Sequence, residues 1–178
     1  MRLLALLVVG PVALVGALVA PSAVADTPPP APHYTYTGQP SDVWFERPDD
    51  TFLRLRPWTY CWTSPVHDGE QVMTCADGIP PAPEHQRRIT SGQSIRFWFG
   101  RPGWRFRGSE HMSSVRHPDD DTCTVKPVIN RKRPHWFRLV RPERPGIYEV
   151  VLFGDGPEGD VFVSFKWRVG KYDSPAAC

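Results

Sequence analysis

From Asp42 onward the apolar side chains of this chain recur every second residue, and no stretch shows helical periodicity with caps. The segment Asp160 to Val169 is the clearest case. Val161, Val163, Phe165, Trp167 and Val169 fall on one side, and Phe162, Ser164, Lys166 and Arg168 on the other. Successive side chains of a strand point to opposite faces, so this pattern predicts a strand with one buried face. Ile147 to Phe153 is apolar on both faces except at Glu149. The glycine-rich run 154–159 between the two segments predicts an antiparallel hairpin. Ser94 to Phe99, Thr51 to Trp62, Val72 to Cys75, Trp104 to Arg107, Thr122 to Val128 and Trp136 to Val140 are the remaining strand candidates, punctuated by glycines and by many of the chain's 21 prolines. About seven to nine short strands with frequent turns imply an all-β fold, and the expectation is an immunoglobulin-like antiparallel β-sandwich with two disulfides.

The N-terminal segment places that domain in a compartment. Arg2 precedes an almost unbroken apolar run from Leu3 to Ala20, and Ser22-Ala23-Val24-Ala25 offers small residues before Asp26. This is the pattern of a secretory signal peptide cleaved after Ala25. The run ends in a proline-rich polar stretch with no basic cluster behind it, which favours cleavage over a retained anchor. The division expected is therefore a signal peptide at 1–25, an extended proline-rich tether at 26–41 and a β-sandwich domain at 42–178.

Export changes the meaning of the four cysteines, Cys61, Cys75, Cys123 and Cys178. An even count outside the cell predicts disulfides, and four cysteines allow three pairings. Cys61–Cys75 and Cys123–Cys178 are the preferred pairs. The first is close in sequence with turn signals Ser64-Pro65 and Asp68-Gly69 between, and the second would pin the C-terminus. The spacings are far from the C-x-x-C of a metal site.

The segment Arg56-Pro57-Trp58-Thr59-Tyr60-Cys61-Trp62, with Cys75-Ala76-Asp77-Gly78 and Pro80-Pro81, resembles small exported proteins of actinobacteria. So does the ending Tyr148-Glu149-Val150-Val151-Leu152-Phe153-Gly154 with Gly159-Asp160-Val161 and Phe165-x-Trp167. The resemblance implies export and a GC-rich source, in keeping with the excess of arginine over lysine. It carries over no catalytic residue.

Formal net charge is only +2, so overall charge selects no partner. The local distribution is less even. Arg96, Arg101, Arg105 and Arg107 are interleaved with Phe97, Trp98, Phe99, Trp104 and Phe106. Lys126, Arg131, Lys132, Arg133, Arg138, Arg141 and Arg144 surround Trp136 and Phe137. Arginine pairs with phosphates and carboxylates and stacks on rings. If the two segments are neighbours in one sheet they make a basic face, and Arg101, Arg105, Arg107, Arg133, Arg138 and Trp136 are its candidate contact residues. An anionic cell-envelope polymer or an extracellular protein is the partner expected, not nucleic acid, since the chain is exported. The Trp58, Tyr60 and Trp62 stripe reads as a core face rather than a sugar platform.

Enzyme signatures are absent: there is no G-x-S-x-G, H-E-x-x-H, P-loop or dinucleotide fingerprint. No catalytic residue, cofactor or metal ligand is assigned. The leading expectation is a secreted or cell-wall-associated binding or structural module. The alternatives are a secreted hydrolase with a loop-built site, using His111 or His117 with Asp119 to Asp121, and a copper or calcium carrier. The carrier would draw on Glu110, His111, Met112 and His117, or on the acidic loop 119–121.

Overall fold

A computed structural model describes residues 39–64, 66–82, 84–112 and 123–171, with the side chains of 109–112 and 123–125 left outside the description. The signal segment 1–25, most of the tether, His117, Asp119 to Asp121 and Cys178 lie outside the described residues, as do the side chains of Glu110, His111, Met112 and Cys123. The described residues form twelve strands and no helix. They are β1 (Val43–Glu46), β2 (Phe52–Leu55), β3 (Thr59–Thr63), β4 (Met73–Ala76), β5 (Arg88–Thr90), β6 (Ile95–Phe99), β7 (Arg105–Met112), β8 (Cys123–Val125), β9 (Ile129–Arg133), β10 (Trp136–Leu139), β11 (Gly146–Gly156) and β12 (Gly159–Val169). One sheet has five strands in the order β2-β1-β6-β10-β9. The other has seven, in the order β4-β3-β12-β11-β7-β8, with β5 also paired to β12. All pairings are antiparallel except β5 with β12.

The hairpin of β11 and β12 is the spine of the larger sheet. Its register runs unbroken from Gly146↔Val169 to Gly156↔Gly159, so most of the glycine-rich run is ladder and only Pro157 and Glu158 turn the chain. Val161, Val163, Phe165, Trp167 and Val169 are all fully buried, as the alternation predicts. Gly154 and Gly156 face the same core. A Cβ on Gly154 would lie 2.6 Å from the Phe106 ring, and one on Gly156 would lie 2.5 Å from the Trp104 ring, so two side-chain gaps in β11 admit one ring from β7 and one from the residue just before it.

The sheets are joined by aromatic packing. Phe97, central in the smaller sheet, stacks on Phe45 and Phe137 at 5.1 Å and meets Phe106 of the larger sheet edge-on at 5.1 Å. Phe45 reaches Phe165 across the interface at 4.5 Å. Such ring pairs add about 0.5–1.5 kcal/mol each beyond their burial. Trp167 donates its buried Nε1–H to the Ser91 carbonyl at 3.1 Å, so its polar atom is satisfied inside the core.

One expected strand is two. The Thr51 to Trp62 pattern breaks at Arg56-Pro57, where the chain leaves the smaller sheet as β2 and enters the larger one as β3. Proline lacks an N–H and restricts the residue before it, so a continuous ladder cannot cross this point. The Trp58, Tyr60, Trp62 stripe divides with it. Trp62 is buried and stacks on Trp104, Tyr60 packs against the core, and Trp58 turns to the outer face against Phe162.

Cys61 and Cys75 form a disulfide between directly opposed residues of β3 and β4. Cys61 donates its N–H away from β4, to Asp160 Oδ1, which makes the cysteines a non-hydrogen-bonded pair. That is the closer of the two antiparallel spacings, in keeping with a Cα–Cα distance of 4.1 Å.

Because Phe97 contacts three other rings and both sheets, Phe97→Ala is expected to cost about 3–5 kcal/mol, measured by denaturant unfolding. A loss under about 1 kcal/mol would show that the inter-sheet cluster is not what holds the two layers together.

Candidate anion-binding face

The same alternation that sends Ile95, Phe97 and Phe99 inward sends Arg96 and Trp98 to the outer face of the smaller sheet. Register aligns this face across strands. Arg54 lies opposite Trp44, Trp44 opposite Trp98, Trp98 opposite Trp136 and Trp136 opposite Arg133. Three tryptophans therefore stand side by side on β1, β6 and β10, with an arginine at each end of the row. In the adjacent row Phe52 faces Glu46, and Arg138 faces both Arg96 and Asn130.

The cations of this face differ in how fully they are engaged. Arg54 pairs with Asp42. Arg96 makes a two-pronged pair with Glu46 through its Nε and Nη2 atoms, and that carboxylate holds the guanidinium above its ordinary pKa. The Arg96 guanidinium also lies 5.5 Å from the Trp136 ring centroid, while Phe52 approaches the same ring at 6.4 Å. Arg96 thus fixes the Trp136 ring rather than offering a free charge. Arg138 makes a single hydrogen bond to Ser94 Oγ at 3.3 Å. Lys132 and Arg133 have no acidic partner among the described residues.

These residues border a cleft of about 620 Å³ lined by Gln93, Ser94, Arg96, Lys132, Arg133, Trp136, Phe137 and Arg138, with no carboxylate in the lining. The register slips between Trp136 and Phe137, which face Arg133 and Arg131 and leave Lys132 as the extra residue of a β-bulge. Regular alternation would point Lys132 and Arg133 to opposite faces. A bulge re-aims one side chain, and here both line the cleft. The β9–β10 turn is tied down by His135, whose φ is 72°. Its carbonyl accepts from the Phe99 N–H at 2.9 Å, and its Nδ1 lies 3.1 Å from the Phe99 carbonyl oxygen. A second cleft of about 660 Å³ shares Gln93, Ser94 and Arg96 and runs on to Arg47, Pro48 and Asp50. The turn beside it is closed by Asp49, which accepts from the Thr51 hydroxyl and N–H and is held below the usual carboxylate range by those bonds.

Of the six contact residues read from the sequence, Arg133, Arg138 and Trp136 come together here. The other three do not join them. Arg105 and Arg107 belong to β7 in the larger sheet. Arg107 lies 4.6 Å over Phe153, in a line that continues to Phe162 and Trp58 on that sheet's own outer face. Arg101 is only 4% exposed, with its guanidinium 5.3 Å from the Trp62 ring centroid. The first basic segment is therefore divided: β6, with Arg96, is a sheet neighbour of β10, but Arg105 and Arg107 lie in the other layer. The chain crosses from one layer to the other between β6 and β7. Arg96, Lys132, Gln93 and Ser94 join the site instead; the first two belong to the basic segments, but only strand register and the bulge bring them to one cleft.

Neither cleft is lined by a histidine, and the described residues contain no cluster of three or more metal-ligating side chains. His85 is exposed. No described helix is long and apolar enough to cross a membrane. No protein-family model, no curated protein and no solved structure matches the chain.

Burial makes Arg101 a structural residue. Arg101→Ala removes a cation stacked on a core tryptophan and leaves a cavity, so a destabilisation of about 2–4 kcal/mol is expected in urea unfolding. An unchanged unfolding midpoint would contradict this placement.

Proposed function

We propose that this chain is an exported, envelope-associated binding module that holds an anionic polymer on the outer face of its smaller sheet. The observation that carries the reading is the cleft beside Trp136, where Lys132, Arg133 and Arg138 converge without a carboxylate. Bound anions there meet cations that no internal acid neutralises. Arginine supplies forked donors for phosphate or carboxylate, and lysine a mobile point charge. The open shape of a sheet face suits an extended chain better than an enclosed small molecule.

The architecture we infer is immunoglobulin-like. β1, β6, β10 and β9 follow the A-B-E-D order of that fold, and β12, β11, β7 and β8 follow G-F-C-C′. Tyr148 near the start of β11 donates its hydroxyl to the Arg144 carbonyl at 2.5 Å, the arrangement of a tyrosine corner at the F position. In this reading β2 to β5 are an insertion between the first two strands of the sandwich. The second disulfide, Cys123 to Cys178, belongs to the same proposal, as does secretion.

The test is retention on immobilised glycerol-phosphate polymer and on polyuronate, compared with purified envelope. Lys132→Glu, Arg133→Glu and Arg138→Glu combined should weaken retention at least about tenfold with little change in the melting midpoint. Arg105→Glu with Arg107→Glu, on the other sheet, should leave retention intact. Raising salt from about 0.1 M to about 1 M shortens the screening length from about 10 Å to about 3 Å and should release the wild-type protein. Retention of the triple variant at wild-type strength would overturn the reading.

A further inference from the structure

The edges of the two sheets are not protected alike. β9 ends the smaller sheet with Arg131, Lys132 and Arg133, and β2 ends it on the other side with Arg54, followed by Arg56-Pro57. Charges and proline on an edge strand discourage pairing with another chain. β4 ends the larger sheet with none of these devices: the run Gln71-Val72-Met73-Thr74-Cys75-Ala76 has no charge and no proline. Among the described residues, four of the five exposed large apolar side chains, Val66, Val72, Met73 and Ile79, lie on or beside this arm. Val72 and Met73 are 61% and 64% exposed. The Cys61–Cys75 disulfide holds β4 to β3 and removes much of the ordering cost of using it as a template.

We propose that β4 is a dimerisation edge, pairing antiparallel with β4 of a second copy about a two-fold axis at Thr74. Pairing confined to Met73–Ala76 points to this register. Ser64 donates its N–H to the Val72 carbonyl at 2.7 Å, whereas Cys61 and Thr63 donate away from β4, to Asp160 Oδ1 and the Glu158 carbonyl. The inward-facing backbone groups of β4 are therefore those of Val72, Thr74 and Ala76. The outward-facing N–H and C=O groups are those of Met73 and Cys75, two residues apart. An antiparallel copy satisfies all four groups when Met73 of one chain faces Cys75 of the other, and that places Thr74 opposite Thr74. In this register Val72 faces Ala76, Gln71 faces Asp77 and Glu70 faces Gly78. No like charges meet, and a threonine pair sits at the axis.

Of the other sheet ends, β8 offers only the three residues Cys123–Val125 before Lys126-Pro127, and β9 is basic. On β9 the same operation sets arginine and lysine against their own copies within a few ångströms. β4 therefore meets its own copy without opposing like charges, which β9 cannot do. The contact is isologous and closed, so it stops at two chains. It lies on the larger sheet and leaves the cleft of the smaller sheet free.

The test uses the purified protein with its disulfide intact. Sedimentation or light scattering should show a reversible dimer, with a dissociation constant on the order of 10–1,000 µM, as suits a small interface. Thr74→Lys places two lysines at the axis and should raise that constant at least about tenfold without moving the melting midpoint. Thr74→Cys should form a covalent dimer on oxidation, since non-hydrogen-bonded pairs sit at about 4.5 Å, within disulfide range. Gln71→Cys, opposite Asp77, should not. A monomer at all concentrations up to about 1 mM would overturn the proposal. So would a dimer that survives Thr74→Lys, or a Thr74→Cys protein that yields no more cross-link than Gln71→Cys.

Discussion

The outer face of the smaller sheet follows from the packing of Phe97 between the two sheets. Its ring touches Phe45 and Phe137 in its own sheet and Phe106 in the other. Once Phe97 is committed inward, the period of two commits Arg96 and Trp98 outward, and antiparallel register commits Trp44, Trp136 and Arg138 beside them. A one-residue slip of β6 would bury Arg96 and expose the phenylalanines. The aromatic core thus positions the basic face without touching any ligand.

Charge on that face is graded by the company each cation keeps. Arg54 and Arg96 are paired with carboxylates and lean on rings, 5.7 Å from Trp44 and 5.5 Å from Trp136. They set the shape of the surface. Arg138, Arg133 and Lys132 carry its potential. The Arg101 guanidinium takes the shaping role to its limit, as a cation packed on Trp62 inside the fold. Arginine serves both ends of this range because its flat, weakly hydrated head tolerates burial against an aromatic ring.

Much of this was legible in the residues. The β11–β12 hairpin and its buried face follow from alternation alone, and the Cys61–Cys75 bridge follows from spacing and turn signals. The basic cluster around Trp136 was visible because its members are close in sequence. What local pattern could not reveal was which sheet each strand joins. Arg96 and Arg105 are close in the chain, yet the turn at 100–104 carries the backbone from one layer to the other, so their side chains face opposite sides of the molecule. Lys132 depended on a bulge, and a bulge is a property of two paired strands rather than of either one. The split of 51–62 was signalled by Arg56-Pro57, a breaker inside an alternation that otherwise ran on.

The central claim is that the outer face of the smaller sheet, and no other, receives an anionic polymer. Titration of isotope-labelled protein with glycerol-phosphate polymer, followed by amide and indole resonance shifts, tests it most directly. The account predicts shifts confined to β9, β10 and the 93–96 stretch, with the Trp136 indole among them and β7 silent. Shifts centred on Arg105 and Arg107, or spread evenly over both sheets, would contradict it.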